Sequence, residues 1–189
     1  TITAISAAPC ATVSDDMTLF ITGQATADAG PDDIICETQL AYTLAGATAS
    51  NSTSLVWTTS GSGTFSDPTI LNPDYQPGAA DIAAGSVTLT LTTFGIAPCG
   101  DATSSMTLLI SRQAVINAGA DNTICETVPS FQITAAASTY YTGLNWTTSG
   151  DGTFADPSVI NPVYTPGVAD IANGSVILTI TATSTAPCA

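Results

Sequence analysis

The residues best placed to do chemistry are five cysteines, and their spacing is fixed. Cys10, Cys99 and Cys188 follow one another at intervals of 89 residues, and the same interval separates Cys36 from Cys125. The chain has no histidine and no CxxC pair, so the sulfurs lack the companions of a tetrahedral zinc site. Arg112 is the only basic side chain, so little would favour a reactive thiolate. Recurring cysteines of this kind are expected to form disulfides in an oxidising, extracellular compartment. Their odd number has a simple source. The opening TITAISAAPCA returns as TITATSTAPCA at 179–189, so the chain is expected to begin and stop partway through a repeat.

Carboxylates are the second candidate chemistry. Fifteen acidic residues against one basic residue give a net charge of −14. That balance argues against nucleic acid, where binding rests on cations neutralising phosphates, and against attraction to anionic lipid. No apolar run is long enough to span a bilayer, so this segment is not expected to insert in a membrane. Paired acids stand at Asp15-Asp16 and Asp32-Asp33, but neither pair recurs one repeat on, and no His or Lys is available as a base. No catalytic residue and no enzyme activity are expected. Asp33, Asp67, Asp81 and Asp101 are weak candidates for calcium, a hard cation that wants clustered oxygens. Asp67 has a simpler role in an Asp-Pro turn, and Asp81 as the N-cap of a helical turn. No cofactor is therefore expected. Asn51, Asn145 and Asn173 match the glycosylation acceptor pattern, a frequent chance match in so Thr- and Ser-rich a chain.

These residues sit in a repeat. Trp57 and Trp146 are again 89 residues apart, and 24 of the 35 positions from Trp57 to Leu91 match the residue 89 places on. Module copying without insertion is the mark of an array selected for length and geometry. Apolar residues alternate with threonine or serine at Val87, Leu89 and Leu91, at Met106, Leu108 and Ile110, and at Leu55 and Trp57, which is strand periodicity. Turn signals fall between them at Gly30-Pro31, Gly61-Ser62-Gly63, Asn72-Pro73, Pro77-Gly78 and Gly85. The only helical candidate is the single turn 79–84. Strands are predicted at 25–37, 40–47, 54–60, 63–66, 73–76, 86–94 and 103–112.

Seven short strands with a tryptophan on the third predict an all-β fold of tandem immunoglobulin-like β-sandwich modules in an extended array. Residues 1–24 would be the C-terminal strands of a preceding repeat, 25–113 a complete repeat, and 114–189 a repeat lacking its last strand. Trp57 and Trp146 are expected in the core; the alternative is a platform that stacks on sugar.

The strings TADAGPDDIICE, LVWTTSGSGTFSDPTILNPDYQPGAADIAAGSVTLTLT and APCGDATSSMTLLI resemble the Ig-like and PKD-like repeats of giant cell-surface adhesins in Bacteroidota, of the SprB gliding-motility type. The resemblance covers essentially the whole chain. It implies secretion by the type IX system, display as a surface filament, and attachment to an external surface or polysaccharide, with gliding motility left open. The modules would form a mechanical stalk whose partners are neighbouring repeats of the same chain. Two other readings stay open: carbohydrate-binding accessory modules of a secreted enzyme, or a self-associating sheath or surface-layer protein.

Strand order bears on how the cysteines pair. Cys36 would lie in the turn after the first strand and Cys99 in the turn between the last two, at opposite poles of one module. A strand of eight residues spans roughly 26 Å, whereas bridged cysteines need Cα atoms within about 7 Å. The favoured bond therefore joins Cys36 to Cys188 across the module junction, with Cys10 bonded outside this window. The alternative keeps the bonds within modules, Cys36 to Cys99 and Cys125 to Cys188.

Overall fold

A computed structural model of the chain describes residues 1–188. The chain opens with a short hairpin, β1 (Ile2–Ala4) against β2 (Val13–Asp15). The next repeat holds nine strands: β3 (Thr26–Asp28), β4 (Asp33–Cys36), β5 (Tyr42–Thr43), β6 (Thr48–Ser50), β7 (Ser52–Thr59), β8 (Thr64–Phe65), β9 (Asp74–Gln76), β10 (Ser86–Gly95) and β11 (Ala102–Ser111), with helix α1 (Ala79–Ala84) before β10. A four-stranded sheet runs β4-β11-β10-β7. Facing it are the pair β3-β6 and the trio β5-β9-β8. The module is an immunoglobulin-like β-sandwich.

The first predicted strand, 25–37, is two strands. β3 pairs antiparallel with β6, and after the Gly30-Pro31 turn β4 crosses to the other sheet and pairs parallel with β11. Gly30 has φ 85°, where a side chain would be strained, and Pro31 removes a ladder donor, so the chain switches sheets there. The predicted strand 40–47 is likewise reduced to β5, with β6 a separate piece beyond it.

Alternation puts Val87, Leu89, Leu91, Met106, Leu108 and Ile110 on one buried face. Trp57, opposite Leu91 in the β10–β7 ladder, is buried among them, and its indole N–H donates to Leu71 O at 3.2 Å. Trp57, Phe65 and Tyr75 form an aromatic ladder with ring centroids 6.1 and 5.0 Å apart.

The following repeat rebuilds this plan as β12 (Val115–Asn117), β13 (Phe131–Gln132), β14 (Ala137–Thr139), β15 (Tyr141–Thr148), β16 (Thr153–Phe154), β17 (Val163–Thr165), α2 (Val168–Asn173) and β18 (Leu178–Ser184). Its aromatic ladder is Trp146, Phe154 and Tyr164, at 5.7 and 4.9 Å. Nothing among the described residues stands where β11 would, and the counterpart of β4 is not a strand either. The reason is pairing: β4 forms only against β11. Ile35 of β4 is 3% exposed, and its counterpart Ile124 is 38% exposed. Trp146 is buried, but its indole N–H has no acceptor among the described residues.

Truncating a buried aromatic of this size costs about 3–5 kcal/mol. Trp57→Ala is thus expected to lower the unfolding free energy of its module by that amount, read as a lower denaturant midpoint in far-UV circular dichroism against the unchanged chain. An unchanged midpoint would remove Trp57 from the core.

Candidate functional site at the module junction

Each module holds a buried carboxylate that fixes the pole facing its neighbour. Asp81 lies at the third residue of α1, three places after the N-cap Gly78 rather than at the cap itself, which corrects the N-cap expectation. The physical reason is reach. From the third position its carboxylate accepts the N–H of Gly78 at 2.9 Å and, across the module, those of Ser62 at 2.7 Å and Gly63 at 3.0 Å. The Tyr75 hydroxyl donates to it at 2.7 Å, while accepting from Thr59 Oγ1 at 2.9 Å. A Cβ on Gly61 would collide with Asp81 Oδ1, so the Gly-Ser-Gly turn wraps the carboxylate because it has no side chains at its ends. Asp170 repeats the arrangement with Asp151, Gly152, Gly167 and Tyr164.

Burial opposes the charge on Asp81, but the hydrogen bonds from Tyr75, Gly78, Ser62 and Gly63 together win, and its pKa falls below the ordinary 3.8. Burial first, and then the Asp81 carboxylate, push the Tyr75 hydroxyl up to about 12.

The helix so anchored ends at Gly85, φ 75°, a left-handed cap that suits glycine. Near that end the Ile82 carbonyl accepts from Arg112 Nη2 at 3.3 Å. Arg112 then crosses the junction. Its Nη1 donates to the Tyr140 hydroxyl at 2.8 Å, and its Cζ lies 4.9 Å from the centre of the Tyr140 ring. The only basic side chain thus joins α1 of one module to the turn between β14 and β15 of the next. One repeat earlier the corresponding pair is Gly23 and Asn51, and the Asn51 amide donates to Gln24 O at 3.0 Å. Sequence reading singled out Arg112 as the only basic side chain but missed this contact. The signal was the joint change from Gly and Asn to Arg and Tyr at two positions of an otherwise faithful repeat.

The two cysteines meet on the same surface. β4 runs parallel to β11 with Cys36 opposite Ser111, so Cys36 arrives at the end of the module's last strand. Cys188 follows β18 and lies with its Sγ 3.2 Å from Ser111 O. Cys36 and Cys188 are disulfide-bonded, with Cα atoms 4.9 Å apart. Around the bond, Glu37 N–H donates to Ser111 O at 2.8 Å, Gln113 N–H to Glu37 Oε1 at 2.9 Å, and Ser111 Oγ to Ala186 O at 3.3 Å. Cys10, Cys99 and Cys125 are free thiols. The within-module pairs Cys36–Cys99 and Cys125–Cys188 are not formed.

The calcium candidates are spread out, each with its own partner. Asp33 accepts from the Tyr42 hydroxyl at 3.0 Å, Asp67 from Thr69 N–H at 2.8 Å in an Asx turn, and Asp101 from Gly95 N–H at 2.9 Å. No group of three or more His, Cys, Asp or Glu residues is close enough to hold a metal ion among the described residues. No helix there is long and apolar enough to cross a membrane.

No family model matches the chain, and no curated protein matches it significantly. Among solved structures, it is similar to the EC1–3 segment of protocadherin gamma C5, at 13% identity and TM-score 0.42, covering 86% of this chain and 68% of that one. The first four immunoglobulin domains of Sidekick-1 align at 14% identity and TM-score 0.41, over 86% of this chain and 50% of that one. Protocadherin gammaB7 EC3–6 aligns at 10% and 0.39, over 82% of this chain and 45% of that one.

Asp81 generates a pH prediction with a definite sign. Its folded pKa is depressed, so its stabilisation is present above the ordinary carboxylate value of 3.8 and is lost as pH falls through the folded value. Thermal unfolding followed against pH should show melting temperature dropping below about pH 4. Asp81→Asn should flatten that acid limb, and an unchanged limb would show that the buried carboxylate is not what titrates.

Proposed function

We propose that this chain is a stretch of an extracellular surface filament or adhesin stalk, whose modules carry load through covalently stapled junctions. The observation that carries the reading is the Cys36–Cys188 bond between neighbouring modules. A disulfide inside each sandwich would stabilise one module; a bond across the junction ties the end of one module's β4 to the turn near the end of its neighbour. Tension entering at Thr1 can then leave Cys36 for Cys188 without passing through the residues between them. A lysine-free chain has no side-chain amine for an isopeptide cross-link, and the disulfide fills that role. Both tryptophans lie in the core, which disfavours the alternative of sugar-stacking platforms.

The finer form of the proposal is a gliding-motility adhesin of the Bacteroidota type, exported by the type IX system and attached to an outside surface or polysaccharide. The repeat strings quoted above support it. In this reading the chain is not an enzyme. Its nearest partners are its own neighbouring repeats, and adhesive specificity resides in whatever the stalk displays.

Single-molecule pulling from the two ends tests the staple. The bond closes a separation of 152 residues, and a fully extended chain reaches about 3.3–3.6 Å per residue. Reduction should therefore release about 500 Å of extension that the oxidised chain withholds. Equal extension with and without reductant would mean the junction bond bears no load.

A further inference from the structure

The outer face of the four-stranded sheet in the complete module carries no charge. Alternation turns Thr88, Thr90 and Thr92 of β10 outward, beside their cross-strand partners Thr107, Ser105 and Thr103 of β11. Apolar side chains complete the face. Ile34 of β4 stands opposite Leu109, and the two are 42% and 46% exposed. Val56 of β7 stands opposite Thr92, and Phe94 is exposed at the end of β10. The third repeat keeps the pattern, with Thr179, Thr181 and Thr183 of β18 beside Thr147, Asn145 and Gly143 of β15.

The acids of the module lie elsewhere. Asp28 and Asp74 are on the opposite sheet, and Asp33 turns inward to the Tyr42 hydroxyl. Asp67 closes its own turn, and Glu37, Asp81 and Asp101 bind backbone N–H groups at the poles. Asp32 comes nearest, at the rim, where it accepts the Thr107 N–H at 2.7 Å. Across all three copies of the repeat the positions on this face hold one charge, Asp16, where the complete module has Ser105. A face that meets only water gains solubility from charge, and the rest of this surface has it. In a chain of net charge −14 the exclusion needs a cause.

The hydroxyls of the face are partly occupied already. Thr90 Oγ1 and Ser105 Oγ share a hydrogen bond of 2.8 Å, and Ser60 Oγ accepts the Thr88 N–H at 3.0 Å. What points outward is then largely threonine methyl groups and the four apolar side chains. Such a surface suits another sheet better than a sugar, which needs free donors and acceptors. We infer that this face docks on the same face of a second copy, so that two chains lie side by side with their sheets about 10 Å apart. Charge selects the partner. Two chains this acidic repel wherever carboxylates oppose one another, and a two-fold contact through this face brings an uncharged patch from each side.

Area sets the strength. Strands of four, ten, ten and eight residues, at about 3.3 Å rise and 4.8 Å spacing, cover about 500 Å². Two such faces bury about 1,000 Å², the lower bound for a specific interface, so one module pair binds weakly. A repeat that presents the face again and again converts weak pairs into side-by-side bundles through effective concentration. The pairing concerns the flanks of the array and does not depend on what the array attaches to.

Sedimentation equilibrium on the 189-residue chain, with Cys10, Cys99 and Cys125 alkylated, tests the pairing from about 10 μM to about 1 mM. Self-association should appear in that range and strengthen with salt. Going from about 0.01 M to about 0.15 M shortens the screening length from about 30 Å to about 8 Å, which quiets the repulsion between the acidic remainders. The double variant Ser105→Asp, Thr181→Asp places a carboxylate on the face of each repeat and should weaken association at least about tenfold. Asp16 shows that the repeat accepts an acid at the first of these positions, and far-UV circular dichroism checks that the double variant is folded. Leu40→Asp adds the same charge at an exposed side chain off the face and should leave association unchanged. The inference is overturned by a chain that stays monomeric at the highest concentration and salt, by association that weakens with salt or vanishes with EDTA, or by Leu40→Asp acting as strongly as the double variant.

Discussion

The last strand of the module is the element on which the rest depends. β11 pairs with β10 on one side and β4 on the other, and it fills the core with Met106, Leu108 and Ile110. It also ends at Ser111, the residue against which both Cys36 and Cys188 are set. The two repeats of this chain serve as a comparison made in one molecule. Where β11 is present, β4 is a strand and Ile35 is buried; without its counterpart, residues 120–130 form no strand and Ile124 is half-exposed. The rest of the third module persists, including its aromatic ladder and the Asp170 cluster. Local hydrogen bonding and the aromatic stack hold one half of the sandwich, and non-local pairing holds the other.

Position at the junction is then a matter of relay. Asp81 fixes the Gly-Ser-Gly turn to the start of α1, the helix offers the Ile82 carbonyl to Arg112, and Arg112 reaches Tyr140 in the next module. Arg112 and Tyr140 are exposed enough that their contact is modest by itself, since solvent competes for both partners. Its role is orientation. The disulfide, the backbone that continues past Arg112 and the Ser111–Ala186 hydrogen bond join the modules on one part of the surface. The Arg112–Tyr140 stack adds a contact on a different part of it.

Much of the fold was legible because the repeat carries its own pattern. Alternating apolar residues marked the long strands β7, β10 and β11, glycine and proline marked the turns, and the Ala-rich stretch before Gly85 marked α1. The sheet switch at Gly30-Pro31 was not legible as such, since residues on both sides of it favour strands and only the partner decides which sheet each joins. Asp81 was readable as a helix-start residue, but three of its four partners are the backbone N–H groups of Ser62, Gly63 and Gly78, which leave no trace in a side-chain pattern. Arg112 was visible as the only cation; Tyr140 became meaningful only when the turn that carries it was placed beside the helix end.

The energetic weight of the junction bond falls unequally on the two modules it joins. Cross-linking residues 152 apart removes loop entropy from the unfolded chain worth about 5 kcal/mol in the chain-entropy model. While the second module stays folded, however, the segment that follows it is tethered at both ends, at Arg112 by the backbone and at Cys188 by the sulfur. Unfolding the third module then yields a closed loop rather than a free tail, which lowers the entropy gained by unfolding it. The less complete sandwich therefore draws the larger share of the stabilisation. In a continuous array the same logic makes each module the anchor of its successor, so that losing one fold leaves a loop pinned between neighbours instead of a break in the line of tension.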